Sequence, residues 1–434
     1  MATNHDIVSH KCLRIFLENF RTGIWQNKLI SNDLTLRRTN KNWPSEDGNI
    51  FDNTNNRSLA LEFKPKIESK RGIQTGLGQC ITYLNRFSSS YLICPREVEG
   101  FQISDYMKNT FKEKVYGKLP VGLIEHYEVA ENEVEINLLV DICESLQIKT
   151  TSEGVKESRY WARYKDSNPH MIFLILDCAK DCLIIGPERR KIIYKSFFDK
   201  HLFPQGDRNL EPHQSHISHF GKKMMKPYSK KKNQLRKLVD SGRISYDEAM
   251  DELNQHCKWD GRPKLTKSTN DNLYLSYWKN YFKLVDHMNF WDSNYNLNEE
   301  GKIYISIGEK FGPNSSELLR YFGYRLLTFG NHYDLLLDLS VSVKGMNFDS
   351  TNDAMIHSQK YMESKGYYKR NPGRAATEGS TKTFSYEFQV WEHLGFFKGD
   401  ERFISGKGYN FDWQKIDYYY SMKINKTPFS LKNQ

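Results

Sequence analysis

At 434 residues, with 38% hydrophobic and 14% aromatic residues, the chain is globular rather than disordered and has room for two or three domains with separate cores. A formal net charge of +10 favours a polyanionic partner, nucleic acid above others because the basic residues cluster, although an ordinary basic cytosolic protein can carry the same total. No apolar run approaches the roughly 18 residues of a membrane span, MATNHDIVSH lacks a charged-then-apolar leader, and seven cysteines lie scattered at 12, 80, 94, 143, 178, 182 and 257, so the expectation is a cytoplasmic chain with reduced thiols and no membrane partner.

The first element is an amphipathic helix over residues 7–20, with Ile7, Cys12, Ile15, Phe16 and Phe20 on or near one stripe and Glu18 on its solvated side. Two apolar runs follow, Asn49–Asp52 and Ser58–Lys64, flanking Asn53-Thr54-Asn55-Asn56, which is β-hairpin chemistry. Alternation in the second run sets Leu59, Leu61 and Phe63 on a core face and Ala60, Glu62 and Lys64 on the other. A helix then carries Gln79 and Tyr83, four apart and so on one face. Ser90–Cys94 reads as a short buried strand closed by Pro95, residues 102–113 as a helix, and Val121–Tyr127 as another strand. This order fits a mixed central sheet flanked by helices, an α/β (α+β) N-terminal domain.

Periodicity leaves Val134–Ile142 open between a strand and the start of a helix. Residues 156–185 read as helical around Pro169, with Cys178 and Cys182 as packing residues, and residues 205–216 as a loop or boundary. The densest basic segment, Lys222–Lys237, offers Lys222, Lys223, Lys226, Lys230, Lys231, Lys232 and Arg236 for DNA phosphates, with a solvated helix face as the plainer alternative. Ser245–Gln255 is a capped helix with an acidic first half.

The last third contains an internal echo: Leu284–Trp291 (LVDHMNFW) and Val390–Phe397 (VWEHLGFF). Asn289 and Gly395 suit a left-handed helix stop, and His287 and His393 suit a last helical turn. Each unit is expected to run on into a hairpin, Tyr295–Ser306 in the first and Phe403–Phe411 in the second, with earlier helices at Glu317–Thr328 and Ala354–Lys365. A helix, a stop and a strand–turn–strand resembles the latter half of a winged helix, and the basic link Lys369–Arg374 with Lys382 adds weak phosphate candidates. The expected division is 1–130, 131–260 and a mostly α-helical, winged-helix-like 261–434.

The hairpin and its helix carry the chemistry. Asp47 and Glu62, from neighbouring strands, suit a hard divalent cation, with Asp52 as a rival for the first position. Lys64 would stabilise charge near a phosphate, and Gln79 and Tyr83 would support the site. Asp47-Gly48, then Glu62-Phe63-Lys64, then Gln79-x-x-x-Tyr83 resembles the active-site signature of the PD-(D/E)xK nuclease superfamily, the Gln-x-x-x-Tyr element being similar to its RecB-like branch. The chain departs from the pattern where Ser45-Glu46 separates Pro44 from Asp47. The resemblance implies Mg²⁺ as cofactor, with Mn²⁺ as a substitute, and double-stranded DNA as substrate. It implies a type II restriction-like endonuclease in which Asp47 and Glu62 hold the metal and Lys64, Gln79 and Tyr83 complete the site. A homodimer would serve double-strand cleavage. Two other readings stand beside it: a structure- or end-specific repair nuclease, and a non-catalytic DNA-binding regulator. No G-x-x-x-x-G-K-[ST] occurs in the chain, so no helicase partner motif accompanies the nuclease signature.

Overall fold

The computed structural model of the chain describes residues 4–37, 44–112, 118–130, 133–143, 146, 169–186, 188–197, 200–201, 210, 219–258, 262–263, 284–286, 288–367 and 385–421. It is a mixed α/β structure with a mostly helical C-terminal region. The N-terminal part runs α1 (Asn4–Arg21), β1 (Leu34–Arg37), β2 (Gly48–Asp52), β3 (Arg57–Phe63), α2 (Lys70–Tyr83), β4 (Ser89–Pro95), α3 (Ile103–Lys112), β5 (Val121–Ala130) and β6 (Glu133–Val140). The six strands form one sheet in sequence order. β3, β4 and β5 are parallel, joined by the crossover helices α2 and α3, and the remaining neighbours are antiparallel. No helix among the described residues is long and apolar enough to cross a membrane.

Both faces of the sheet are covered. On one, α1 buries Cys12, Leu13, Phe16, Leu17 and Phe20. Leu13 packs where a side chain at Gly48 would otherwise stand, and the Phe16 ring meets Tyr91 at 5.3 Å. The buried stripe is rotated from the expected one: Leu13 and Leu17 take the core, and Ile15 is half-buried. On the other face Ile73, Leu77 and Cys80 of α2 and Met107 and Phe111 of α3 pack on Leu92, Cys94, Val121 and Leu123. Residues 134–140 are strand, settled by antiparallel pairing with β5, so a boundary at residue 130 would cut through a β5–β6 hairpin.

The described chain divides into two compact units. One comprises Met1–Tyr160, Asn331–Gly379 and Gly395–Asn425; the other Trp161–Gly330, Ser380–Leu394 and Lys426–Gln434. Within the first, C-terminal residues are tied to α1 by buried charge. Arg21 pairs with Asp334 and Asp338, and Arg14 lies 3.2 Å from Asp417, which also accepts from the Tyr333 hydroxyl at 2.7 Å. Removing one partner of such a buried group costs about 3–5 kcal/mol, so these segments are integral to the sheet-bearing unit.

In the second unit, Pro169 is the first residue of the helix Pro169–Asp181, where its missing N–H costs nothing; residues 156–168 lie outside the described residues. Ser245 and Glu248 form a reciprocal capping box at the start of the helix Tyr246–His256. Asn289, at φ 54°, is the left-handed stop expected of it. The next expectation is corrected: Tyr295–Ser306 is not a hairpin. Asn298 caps a helix over Glu299–Phe311 whose first turn carries Glu299 and Glu300, favourable to the helix dipole, and Gly301 lets that turn sit on the Phe290 carbonyl. The wing of a winged helix is therefore missing from the first copy of the echo.

The second copy follows the same plan with an insertion. Gly395 has φ 67°, Asp412 N–H donates to the Phe396 carbonyl at 2.8 Å, and Asp412 caps the helix Trp413–Tyr420. In the first copy Asn298 N–H donates to the Phe290 carbonyl at 3.2 Å. The expected hairpin Phe403–Phe411 forms here as Phe403–Ile404 paired with Gly408–Tyr409. The helices at Ser316–Thr328 and Thr351–Ser364 match those expected, and His393 stands in a last helical turn. His287, Lys369–Arg374 and Lys382 lie outside the described residues.

Candidate active site

The β2–β3 hairpin sets the site by register. Gly48 pairs with Leu61, so Asp47, the residue before it, lies at the open end of the hairpin close to Glu62. Its backbone N–H donates to the Leu61 carbonyl at 3.0 Å, and its Oδ2 accepts from the Phe63 N–H at 2.8 Å. Glu62, buried at 3% exposure, faces α2 and accepts a short hydrogen bond from the Tyr83 hydroxyl. Lys64 Nζ lies 2.8 Å from Glu62 Oε1 and donates to Gln79 Oε1 at 2.8 Å. The five residues singled out in the sequence meet at one place.

α2 reaches that place for local reasons. Ser69 caps its N-terminus by accepting from Gly72 N–H at 3.0 Å. Gly76 lets the helix approach the strand: a Cβ there would stand 2.7 Å from Lys64 Cε and 2.9 Å from a Leu92 methyl. Gln79 and Tyr83, one turn apart, then face Lys64 and Glu62.

The electrostatics are those of a crowded acid pair. Burial pushes the Glu62 carboxyl above its usual range and the nearby Asp47 charge adds to this, while hydrogen bonds from Lys64 and Tyr83 oppose the rise. Burial and then the Glu62 contact push the Tyr83 phenol up, so it remains a protonated donor. A cation between Asp47 and Glu62 would relieve the repulsion that raises Glu62. Carboxylate oxygens are the donors Mg²⁺ favours. Among the described residues, no group of three or more His, Cys, Asp or Glu is placed to hold a metal ion.

Asp52, the rival acid, sits at the opposite end of the hairpin. It pairs with Arg57, five residues from Glu62 and so about 17 Å away along the strand. Its carboxylate accepts from Ser31 N–H and hydroxyl, from Thr54 and Asn55 N–H, and from the Asn55 amide, at 2.6–3.1 Å. It is the staple of the turn.

Three residues that sequence reasoning passed over shape the site. Gly76 is one. Arg86, one turn beyond Tyr83, donates to the Pro44 carbonyl and lies 3.8 Å from Glu46, while Tyr83 also reaches the Ser45 carbonyl at 3.0 Å. The extra Ser45-Glu46 is thus pinned to the end of α2 just before Asp47. The third, His126 of β5, places Nε2 2.9 Å from the Lys64 carbonyl and its ring 4.8 Å from Phe63. Neither Arg86 nor His126 carries a local signal in the sequence, since each acts on a residue far away in the chain.

The basic segment lies in the second unit, on the helix His219–Asp240. Lys230 is exposed and Arg236 half-buried, whereas Lys231 pairs with Glu252. Lys232 is fully buried, which removes it from the residues able to meet a phosphate. The side chains of Lys222, Lys223 and Lys226 lie outside the described residues. Glu18 is paired with Arg14 at 3.1 Å. No protein-family model and no curated protein matches the sequence.

Proposed function

We propose that the chain is a Mg²⁺-dependent DNA endonuclease of the type II restriction kind, cutting at the open end of the β2–β3 hairpin. The observation that carries this reading is the Asp47 charge close to Glu62, with the Lys64 ammonium 2.8 Å from the Glu62 carboxylate. Asp47 and Glu62 would hold the ion, which when bound supplies a Lewis acid for the scissile phosphate and its attacking water. Lys64, held beside Glu62 and Gln79, would present its charge to the phosphate oxygens. Gln79 holds the ammonium in place from one side, and Tyr83, kept protonated, orients Glu62 by hydrogen bonding. Lys222, Lys223, Lys226, Lys230 and Arg236 are the proposed phosphate contacts. One such centre severs one strand, so a double-strand break takes two copies or two successive nicks.

The test is incubation of supercoiled, mixed-sequence plasmid with purified protein and Mg²⁺ or Mn²⁺, followed by sequencing of the ends. Nicked or linear product with discrete termini, lost in Glu62→Gln, supports the proposal. Degradation only from free ends moves the chain to the end-processing class. Salt-dependent binding without cleavage in either metal leaves a DNA-binding regulator.

A further inference from the structure

We infer that His126 is the positioning residue for Lys64, supplying a backbone hydrogen bond that the β3–β4 ladder cannot make. The inference rests on the proposed function only for its catalytic consequence. Lys64 N–H donates to the Ile93 carbonyl at 2.9 Å, and Phe63 pairs with Ile93 in the parallel register. In a parallel ladder the Lys64 carbonyl is next due a bond from the N–H of residue 95. That residue is Pro95, which has none. The Nε2 of His126, reaching from β5 on the far side of β4, stands 2.9 Å from this carbonyl. A carbonyl only accepts, so Nε2 carries the hydrogen.

The surroundings favour this role over a proton-transfer one. His126 is 3% exposed, and its Nδ1 has no hydrogen-bond partner among the described residues. Burial pushes the imidazole below its usual range, so the ring stays neutral with its single N–H on Nε2. The ring also lies over Phe63, the residue between Glu62 and Lys64. Fixing the Lys64 carbonyl and the Phe63 ring together sets the direction in which the Lys64 stem leaves the strand, and so holds its ammonium between Glu62 and Gln79.

Three variants of the full-length protein test this. His126→Phe keeps the stacking on Phe63 and removes the donor. His126→Gln restores an N–H near the Nε2 position. His126→Phe combined with Pro95→Ala returns the missing N–H from the ladder itself. The first readout needs no cleavage: the rate at which a soluble amine-reactive reagent modifies Lys64, followed by peptide mass spectrometry with buried Lys11 as an internal control. Lys64 should react about tenfold faster in His126→Phe, with Lys11 unchanged, and return towards the wild-type rate in the other two. The second readout is plasmid nicking at saturating DNA and Mg²⁺. It should fall about 10- to 100-fold in His126→Phe with DNA affinity unchanged, and recover in both rescue variants. An unchanged Lys64 rate, a parallel rise at Lys11, or a defect that neither rescue repairs overturns the inference. Wild-type protein that fails to nick DNA while the labelling pattern holds would instead remove the nuclease reading and leave His126 in its positioning role.

Discussion

The two ends of one hairpin each bury a carboxylate, and they do so in opposite ways. At the turn, Asp52 is surrounded by donors fixed in backbone and short side chains: Ser31, Thr54 and Asn55. At the open end, Glu62 is met by the ends of two long side chains, Tyr83 and Lys64, with the Asp47 charge close by. Local donors at fixed spacing make a staple that nothing else need complete. Partners on long stems, beside a second acid, leave a carboxylate whose neighbours are not fixed by the backbone, as the proposed metal site would require. Burial is common to both acids; the reach and rigidity of their partners are what differ.

Substitutions at the two ends should therefore fail differently. The largest expected effect is on activity at the open end: Lys64→Met should lower plasmid nicking about a thousandfold or more, with DNA binding by mobility shift unchanged. At the turn, Asp52→Ala should lower unfolding free energy by about 3 kcal/mol or more in denaturant titrations, because it strands several buried donors, while the folded fraction nicks DNA at the normal rate. Gly76→Ala joins the two kinds of loss. Its methyl meets the Lys64 stem and Leu92, so about 1–3 kcal/mol of stability and part of the activity should go together.

The smallest effect is on pH dependence. Because the folded-state pKa of Glu62 is raised, its contribution to stability is fully present below the ordinary glutamate value and is lost as pH rises through the folded value. Glu62→Gln should therefore gain stability relative to wild type as pH rises above the ordinary glutamate value in metal-free thermal melts. A difference of opposite sign would mean that Lys64 and Tyr83 outweigh burial at Glu62.

The same contrast explains how far the sequence could be read. The hairpin, α2 and the five residues of the open end were legible because each follows from local rules: a polar turn between alternating runs, and two positions one helical turn apart. β1 was not, since Leu34–Arg37 is only four residues, too short for its alternation to stand out. Ile303-Tyr304-Ile305-Ser306 alternates like a strand, and the Asn298 cap with two acids in the first turn was the stronger cue. Arg86 and His126 act on Pro44 and Lys64 across 42 and 62 residues, distances over which no periodicity speaks. The missing N–H of Pro95 was visible, but its consequence appears only once β3 and β4 are in register. Lys232 was indistinguishable from its neighbours until the helix packed.

The most direct test of the central claim is Mn²⁺ binding to the full-length protein, measured by electron paramagnetic resonance on wild type and three single variants. The account predicts a bound ion in wild type and in Asp52→Asn, and its loss in both Asp47→Asn and Glu62→Gln. Equal binding in all four proteins, or loss in Asp52→Asn alone, would contradict it.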